Sequence, residues 1–140
     1  MTVPRPARRE DIPAMHRVRM AVRENRLVSR VITEADYAER MVHAGAAWVV
    51  EEDRTVVGFA IGDVRDHSIW ALFVHPDHEG RGRGRALHDT LVAWMRGFRG
   101  RILTLETEAG TRAECFYRAA GWQVVGRTPD GALRLELPPA

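Results

Sequence analysis

The stretch IWALFVHPDHEGRGRGRAL, Ile69 to Leu87, constrains the fold more than any other part of the chain. An apolar run is stopped by Pro76-Asp77, and Gly80, Gly82 and Gly84 then alternate with Arg81 and Arg83. From Arg85 to Phe98, Leu87, Leu91, Trp94, Met95 and Phe98 fall on one stripe. The pattern predicts a strand over Ser68 to His75, a glycine loop, and an amphipathic helix packed on a sheet. Glycines let backbone approach a ligand closely, and amides at a helix start point toward an anion, so a phosphate-bearing ligand is the natural occupant. This is not a Walker loop, because no Lys-Ser/Thr follows, nor G-x-G-x-x-G, because the glycines fall at every second position. Taken alone, the tract also suits an arginine-rich solvent loop or a short RNA-binding segment.

The flanking sequence supplies the remaining elements. Asp11 to Asn25 carries Ile12, Met15, Val18 or Arg19, and Val22 at helical spacing, with Asp11 placed to cap and Pro13 tolerable in a first turn. A second, short helix starts at Thr33, where Thr33 and Asp36 approximate a capping box, and Gly45 ends it. Ala47 to Glu52 and Thr55 to Asp63 read as a hairpin around a Glu-Asp-Arg turn, with Val57, Phe59 and Ile61 alternating. Ile102 to Thr107 is an apolar strand. Thr111 and Glu114 form a capping box for a helix presenting Ala113, Phe116, Tyr117 and Ala120 inward and closed by Gly121. Trp122 to Arg127 and Ala132 to Leu137 form a terminal hairpin joined by Pro129-Asp130-Gly131. With no repeat, low-complexity tract or linker, residues 1–140 read as one α/β or α+β domain.

Composition narrows the chemistry. All 21 basic residues are arginine, which excludes a Schiff-base lysine, a Walker lysine and a lysine general base. The net charge of +2 gives little support to nucleic-acid binding. Cys115 is the single cysteine, so no internal disulfide, Cys-rich zinc site or CxxC pair forms, which fits a reducing, cytoplasmic setting. The start of the chain lacks the apolar stretch of a secretory signal, and no apolar run is long enough to span a membrane.

Two motifs in order carry a specific resemblance. Leu72-Phe73-Val74-His75-Pro76, the Gly82-x-Gly84 loop and Ala86-Leu87 resemble the acetyl-CoA-binding motif of the GNAT superfamily of N-acetyltransferases. Ala113-x-x-Phe116-Tyr117-x-x-x-Gly121-Trp122 is similar to that superfamily's later helix, with its catalytic tyrosine. The resemblance implies a GNAT-like mixed, mostly antiparallel sheet of six to seven strands, splayed at its centre, with about four helices on both faces. It implies acetyl-CoA as cosubstrate, no metal, and direct transfer of the acetyl group to an amine of a small molecule or a protein N-terminus. Backbone groups of Phe73 and Val74 would hold the pantetheine arm and acetyl carbonyl. Amides of Arg81, Gly82, Arg83, Gly84 and Arg85 would bind the pyrophosphate, and Tyr117 would protonate the departing thiolate. The chain departs from the pattern at Glu79, where Gln or Arg is usual, and at Gly110, where Asn is frequent. An acid beside a polyanion leads us to expect compensating charge from Arg81, Arg83 and Arg85.

Amine attack on a thioester needs a neutral amine, donors aimed at the developing oxyanion and an acid for the sulfur. A phenol of pKa about 10 is close enough to a thiol to serve as that acid. The base is open among His67, which precedes Ser68 at the start of the third strand, Glu106, and a backbone carbonyl acting through water. Glu24 and Asn25, with Arg23, are candidate acceptor contacts at the end of the first helix, beside the unpatterned Arg26 to Ile32 segment. Other classes to be weighed are a non-catalytic acyl-CoA-binding regulator and an RNA-binding protein using the RGRGR tract. By position alone, Tyr117 is more commonly a core tyrosine, and the motif context is what favours a catalytic one; Cys115 reads as a small packed residue, and His16, His43 and His88 as solvated helix residues. His75 and His78 sit three apart without a third ligand. The terminal hairpin offers an edge strand that a homodimer would cover.

Overall fold

The computed structural model describes residues 3–22, 32–97 and 102–139. The elements are β1 (Arg5–Pro6), α1 (Ile12–Ala21), α2 (Glu34–Glu39), β2 (Gly45–Glu52), β3 (Thr55–Asp63), β4 (Ser68–Val74), α3 (Arg83–Arg96), β5 (Leu103–Thr107), α4 (Arg112–Ala119), β6 (Gln123–Arg127) and β7 (Leu133–Leu137). Among the described residues no helix is long and apolar enough to cross a membrane.

The strands form one seven-stranded sheet in the order β1-β2-β3-β4-β5-β7-β6. Every pairing is antiparallel except that of β4 with β5. The sheet is therefore mixed and mostly antiparallel, as expected. β1 escapes sequence reading because two residues are too few to show a period. The terminal hairpin is folded so that β7 lies inside the sheet against β5, and β6 is the outer strand.

Local chemistry explains the element boundaries. The Asp11 carboxylate accepts from the Arg8 N–H at 2.7 Å and from the Arg5 guanidinium at 2.9 and 3.0 Å, so it closes the 3-10 turn ahead of α1 and makes no side-chain bond to the amides of α1. The expected first helix reaches Asn25, but α1 ends at Ala21, where Val22 turns extended, and Arg23, Glu24 and Asn25 lie outside the described residues. Thr33 and Asp36 do close the start of α2, the Thr33 N–H donating to Asp36 Oδ2 at 2.7 Å. Past Glu39 the helix widens into a π turn over Arg40–Ala44, and Gly45 opens β2 instead of ending the helix. The β2–β3 turn puts Asp53 and Arg54 at φ 51° and 65°, the left-handed pair that a two-residue hairpin loop demands.

Helices cover both sheet faces, and each face carries its own core. On one side Ile12, Met15, Val18 and Tyr37 of α1 and α2 pack on Val49, Phe59 and Ile61. On the other, Leu87, Leu91 and Met95 of α3 and Tyr117 of α4 pack with Val50, Ala60, Leu103, Leu105 and Leu135. From Val56 onward β3 is buried at every position, because a central strand with both faces covered has no solvent side. Val57, read as sharing a face with Phe59 and Ile61, belongs to the core under α3. α3 presents Leu87, Leu91 and Met95 at four-residue spacing, each fully buried.

Candidate active site

The site begins where the sheet opens. β4 and β5 are in register at one pair, Ser68 with Thr104, and the Thr104 N–H donates to the His67 carbonyl at 2.9 Å. From Ile69 to Val74, β4 is paired with β3 on one side, while its other edge has no strand partner among the described residues. A groove of about 610 Å³ fills the gap. Its walls include Trp70, Leu72, Phe73 and Val74 of β4, Gly82 to Arg85 at the start of α3, Phe116 and Tyr117 of α4, and Glu106 to Glu108 after the divergence of β5. One wall is thus an apolar strand with an open backbone edge, and one end is a helix N-terminus.

Two glycines shape that end. Gly82 is the N-cap of α3 at φ 82°, in the left-handed region where a side chain is strained. Gly82 supplies no side-chain cap, so the amides of Arg83, Gly84 and Arg85 have no intrahelical acceptor, while the Ala86 N–H bonds back to the Gly82 carbonyl at 3.0 Å. At Gly84 a Cβ would stand 3.6 Å from both Phe116 and Val74, across the narrow part of the groove. The residues present therefore fit a phosphate at the helix start with an extended amide-bearing arm beside β4.

The arginines of the loop do different work from that expected. The Arg83 side chain is nearly buried; it pairs with Glu52 at the end of β2 and donates to the His78 carbonyl at 3.3 Å. His78 Nδ1 lies 2.5 Å from the same Glu52 carboxylate. Burial works to raise the Glu52 pKa, but His78 and Arg83 outweigh it and hold the carboxyl below its usual range. Arg85 pairs along the helix with Asp89 at 3.0 Å. Glu79 is neutralised by Arg112 from the start of α4, not by Arg81, Arg83 or Arg85, because α4 closes over the loop from the opposite wall. The RGRGR tract is thus a clamped loop in which Arg83 and Arg85 are already paired.

Tyr117 is buried on α4 and lines the groove. Its hydroxyl makes no hydrogen bond among the described residues, and burial pushes the phenol well above its ordinary value, so it keeps its proton throughout the working range. Thr111 accepts from the Glu114 N–H at 3.3 Å, and Glu114 accepts from the Gly110 N–H at 2.8 Å, closing the helix that carries Tyr117. The other tyrosine, Tyr37, is fully buried in the opposite core with its hydroxyl 2.9 Å from His16 Nδ1.

Of the residues singled out from sequence, the groove brings together Phe73, Val74, Gly82, Arg83, Gly84, Arg85, Glu106 and Tyr117. Arg81 is exposed beside it and is absent from its walls. His67 is buried at φ 55°, Ser68 Oγ donates to Asp66 at 2.5 Å, and neither lines the groove. Glu106 is exposed at the rim, 3.9 Å from Arg134. Glu24 and Asn25 lie outside the described residues. Two readings are corrected. Cys115 is exposed, because α4 turns Phe116 and Tyr117 inward and leaves its neighbour on the outer face. His88 is buried, not solvated, because it sits one residue from Leu87 on the side of α3 that meets α4.

Sequence reasoning missed Arg19, a buried residue of α1 whose guanidinium lies 4.8 Å from the Trp70 ring centroid and 5.0 Å from that of Phe73, on the groove wall. Its place among the apolar positions of α1 is the one signal that pointed inward. Glu52 and Arg112 gave none, since their partners are distant in sequence.

Comparison with known proteins agrees with this geometry. A mycothiol acetyltransferase from Propionibacterium freudenreichii subsp. shermanii is 34% identical over 106 residues; the match covers 67% of this chain, which spans about a third (34%) of that protein's length. Among solved structures, the ribosomal-protein-S18-alanine N-acetyltransferase of Escherichia coli superposes with a TM-score of 0.80 at 23% identity, covering 100% of this chain and 95% of that one. The yncA protein of Salmonella typhimurium, solved with its cofactor acetyl-CoA, gives 0.80 at 22% identity over 99% and 94%. The acetyltransferase (GNAT) family model matches residues 12–122, most of the chain, and the protein belongs to that family.

Proposed function

We propose that the protein transfers an acetyl group from acetyl-CoA directly to the amine of an acceptor, a small molecule or a protein N-terminus. The observation that carries this reading is the open edge of β4 running into the uncapped start of α3, with Tyr117 across the same groove. Acetyl-CoA supplies the thioester. Backbone groups of Phe73 and Val74 hold its pantetheine arm in the manner of an added strand and orient the acetyl carbonyl. The amides of Arg83, Gly84 and Arg85, with the exposed loop at Arg81 and Gly82, take the pyrophosphate. Tyr117 Oη gives its proton to the departing sulfur. Its raised pKa makes it a reluctant acid, yet the sulfur of a thiolate expelled into the same apolar surroundings is raised as well. Of the candidate bases, Glu106 lines the groove and His67 does not, which supports Glu106 as the group that takes the ammonium proton through water before attack.

Titration with acetyl-CoA tests binding: the melting temperature rises with the logarithm of ligand excess, because the folded state alone binds. No rise at millimolar acetyl-CoA overturns the proposal. Release of free CoA across a panel of amines, amino acids, polyamines, aminoglycosides and N-terminal peptides then identifies the acceptor class. Tyr117→Phe is expected to lower kcat by about 10²-fold with acetyl-CoA affinity retained. Binding with no transfer to any amine class would instead support the acyl-CoA-binding regulator.

A further inference from the structure

We propose that His88 is a positioning residue for Tyr117: by holding the Trp122 indole, it sets the direction of the phenol across the groove. The inference rests on the reading of Tyr117 as the general acid. His88 lies on α3, five residues from its start, with 3% of its surface exposed. The Trp122 indole N–H donates to His88 Nε2 at 2.9 Å. An indole nitrogen only donates, so Nε2 carries the lone pair and Nδ1 the proton. Nδ1 is 2.9 Å from Asp89 Oδ1, an acceptor that suits this tautomer. The imidazole is thus fixed at both nitrogens.

Trp122 is bound to Tyr117 in two ways. Its backbone N–H donates to the Tyr117 carbonyl at 3.0 Å, and its ring meets the Tyr117 ring edge-on, centroids 5.7 Å apart at 70°. His88 itself stands 6.4 Å from Tyr117 and 5.7 Å, edge-on, from Phe116. Because the Tyr117 hydroxyl has no hydrogen bond among the described residues, packing against the rings of His88, Phe116 and Trp122 sets the orientation of the phenol. His88 also joins α3, whose start forms the phosphate end of the groove, to α4, which carries the acid. One side chain therefore couples the two halves of the site.

Protonation at Nε2 would point an N–H at the indole N–H and break the clamp. The charged groups around the imidazole are Asp89, Arg85 and Arg96 from α3, with the Tyr117 phenol facing it from α4. Burial lowers the His88 pKa from its ordinary 6.5, and Asp89 opposes this less strongly, so the clamp is intact near neutrality and opens on the acid side.

The chain contains two tyrosines, so 3-fluorotyrosine labelling gives two resonances, and Tyr37→Phe identifies that of Tyr117. In the otherwise native protein the Tyr117 resonance is expected to move as pH falls below 6.5. In His88→Gln, whose amide oxygen accepts the indole N–H without titrating, that movement disappears. In His88→Phe, which keeps a ring but removes the acceptor, the resonance shifts and broadens at every pH. Turnover with the acceptor from the amine panel falls about tenfold in His88→Phe at unchanged acetyl-CoA affinity, with His88→Gln between it and the native protein. In a Tyr117→Phe background the His88→Phe loss vanishes, because nothing remains to be positioned. A resonance indifferent to both pH and His88→Phe, in a protein that Tyr117→Phe cripples, overturns the proposal, as does a His88→Phe loss that persists in Tyr117→Phe. A Tyr117→Phe protein of full activity would instead remove the general-acid reading, while the resonance arm still reports on the clamp.

Discussion

Ser68 and Thr104 form the single register pair between β4 and β5 among the described residues, and beyond them the two strands part. That pair is the hinge of the groove. On its near side the sheet is closed by the Thr104 N–H bonding to the His67 carbonyl; on its far side β4 keeps one unpaired edge over the residues that line the groove. An unpaired strand edge is costly to expose unless something covers it. Here the open edge faces a walled groove, and its free N–H and C=O groups are of the kind that an amide-bearing ligand can pair with in place of β5.

Gly84→Ala separates folding from binding. Alanine is a better helix former than glycine by about 1 kcal/mol, and its Cβ meets Phe116 and Val74 at the ordinary contact distance of 3.6 Å, so the melting temperature is expected to hold or rise. The same methyl intrudes on the groove, and acetyl-CoA affinity measured by calorimetry should fall about tenfold or more. Gly82→Ala should behave differently, because φ 82° strains any side chain by about 1–2 kcal/mol and the melting temperature drops as well.

Glu52→Gln tests the loop clamp. It removes the charge that holds Arg83 and His78, so amide hydrogen exchange over residues 75–82 should speed up while α1 and β7 stay protected. Because the Glu52 pKa is held below 4.5, its carboxylate stays ionised opposite Arg83 above that pH, and that pair is lost only as pH falls through the lower folded value.

His88 makes stability depend on pH with a definite sign. Its folded pKa lies below 6.5, so between that value and the folded pKa the unfolded chain binds more protons, and stability falls as pH drops through this window. Thermal melts at pH 7.5 and 5.5 should show a larger decrease for the native protein than for His88→Gln, which lacks the titrating group. An equal decrease in both would show that the clamp does not titrate.

With 21 arginines and no lysine, the chain carries no side-chain amine to acetylate. Incubation with acetyl-CoA followed by intact mass spectrometry and peptide mapping should find no internal acetyl-lysine, leaving the N-terminal amine as the single amine acceptor within the chain. Arginine stays protonated, so Arg83 and Arg85 on the groove wall do not compete as amine acceptors.

What the sequence by itself determined was local. The order of the elements and the glycine loop before α3 follow from spacings of a few residues, and so do the closure of α2 by Thr33 and Asp36 and the inward side of α4. Helical period and capping chemistry act over one or two turns. Tertiary structure decided what those elements meet. Spacing identifies a buried side of a helix but not its neighbour, so His88 read as solvated until α4 was placed against it. Charge composition does not pair charges, so Arg83 is tied to Glu52 and Glu79 to Arg112 across 31 and 33 residues of chain. The parting of β4 and β5 lies furthest from sequence: both segments read as ordinary strands, and where a pairing between strands distant in the chain stops is a property of the assembled sheet, not of local spacing. The motif residues pointed to an anion at a helix start; the groove that continues from it is a product of how the strands were brought together.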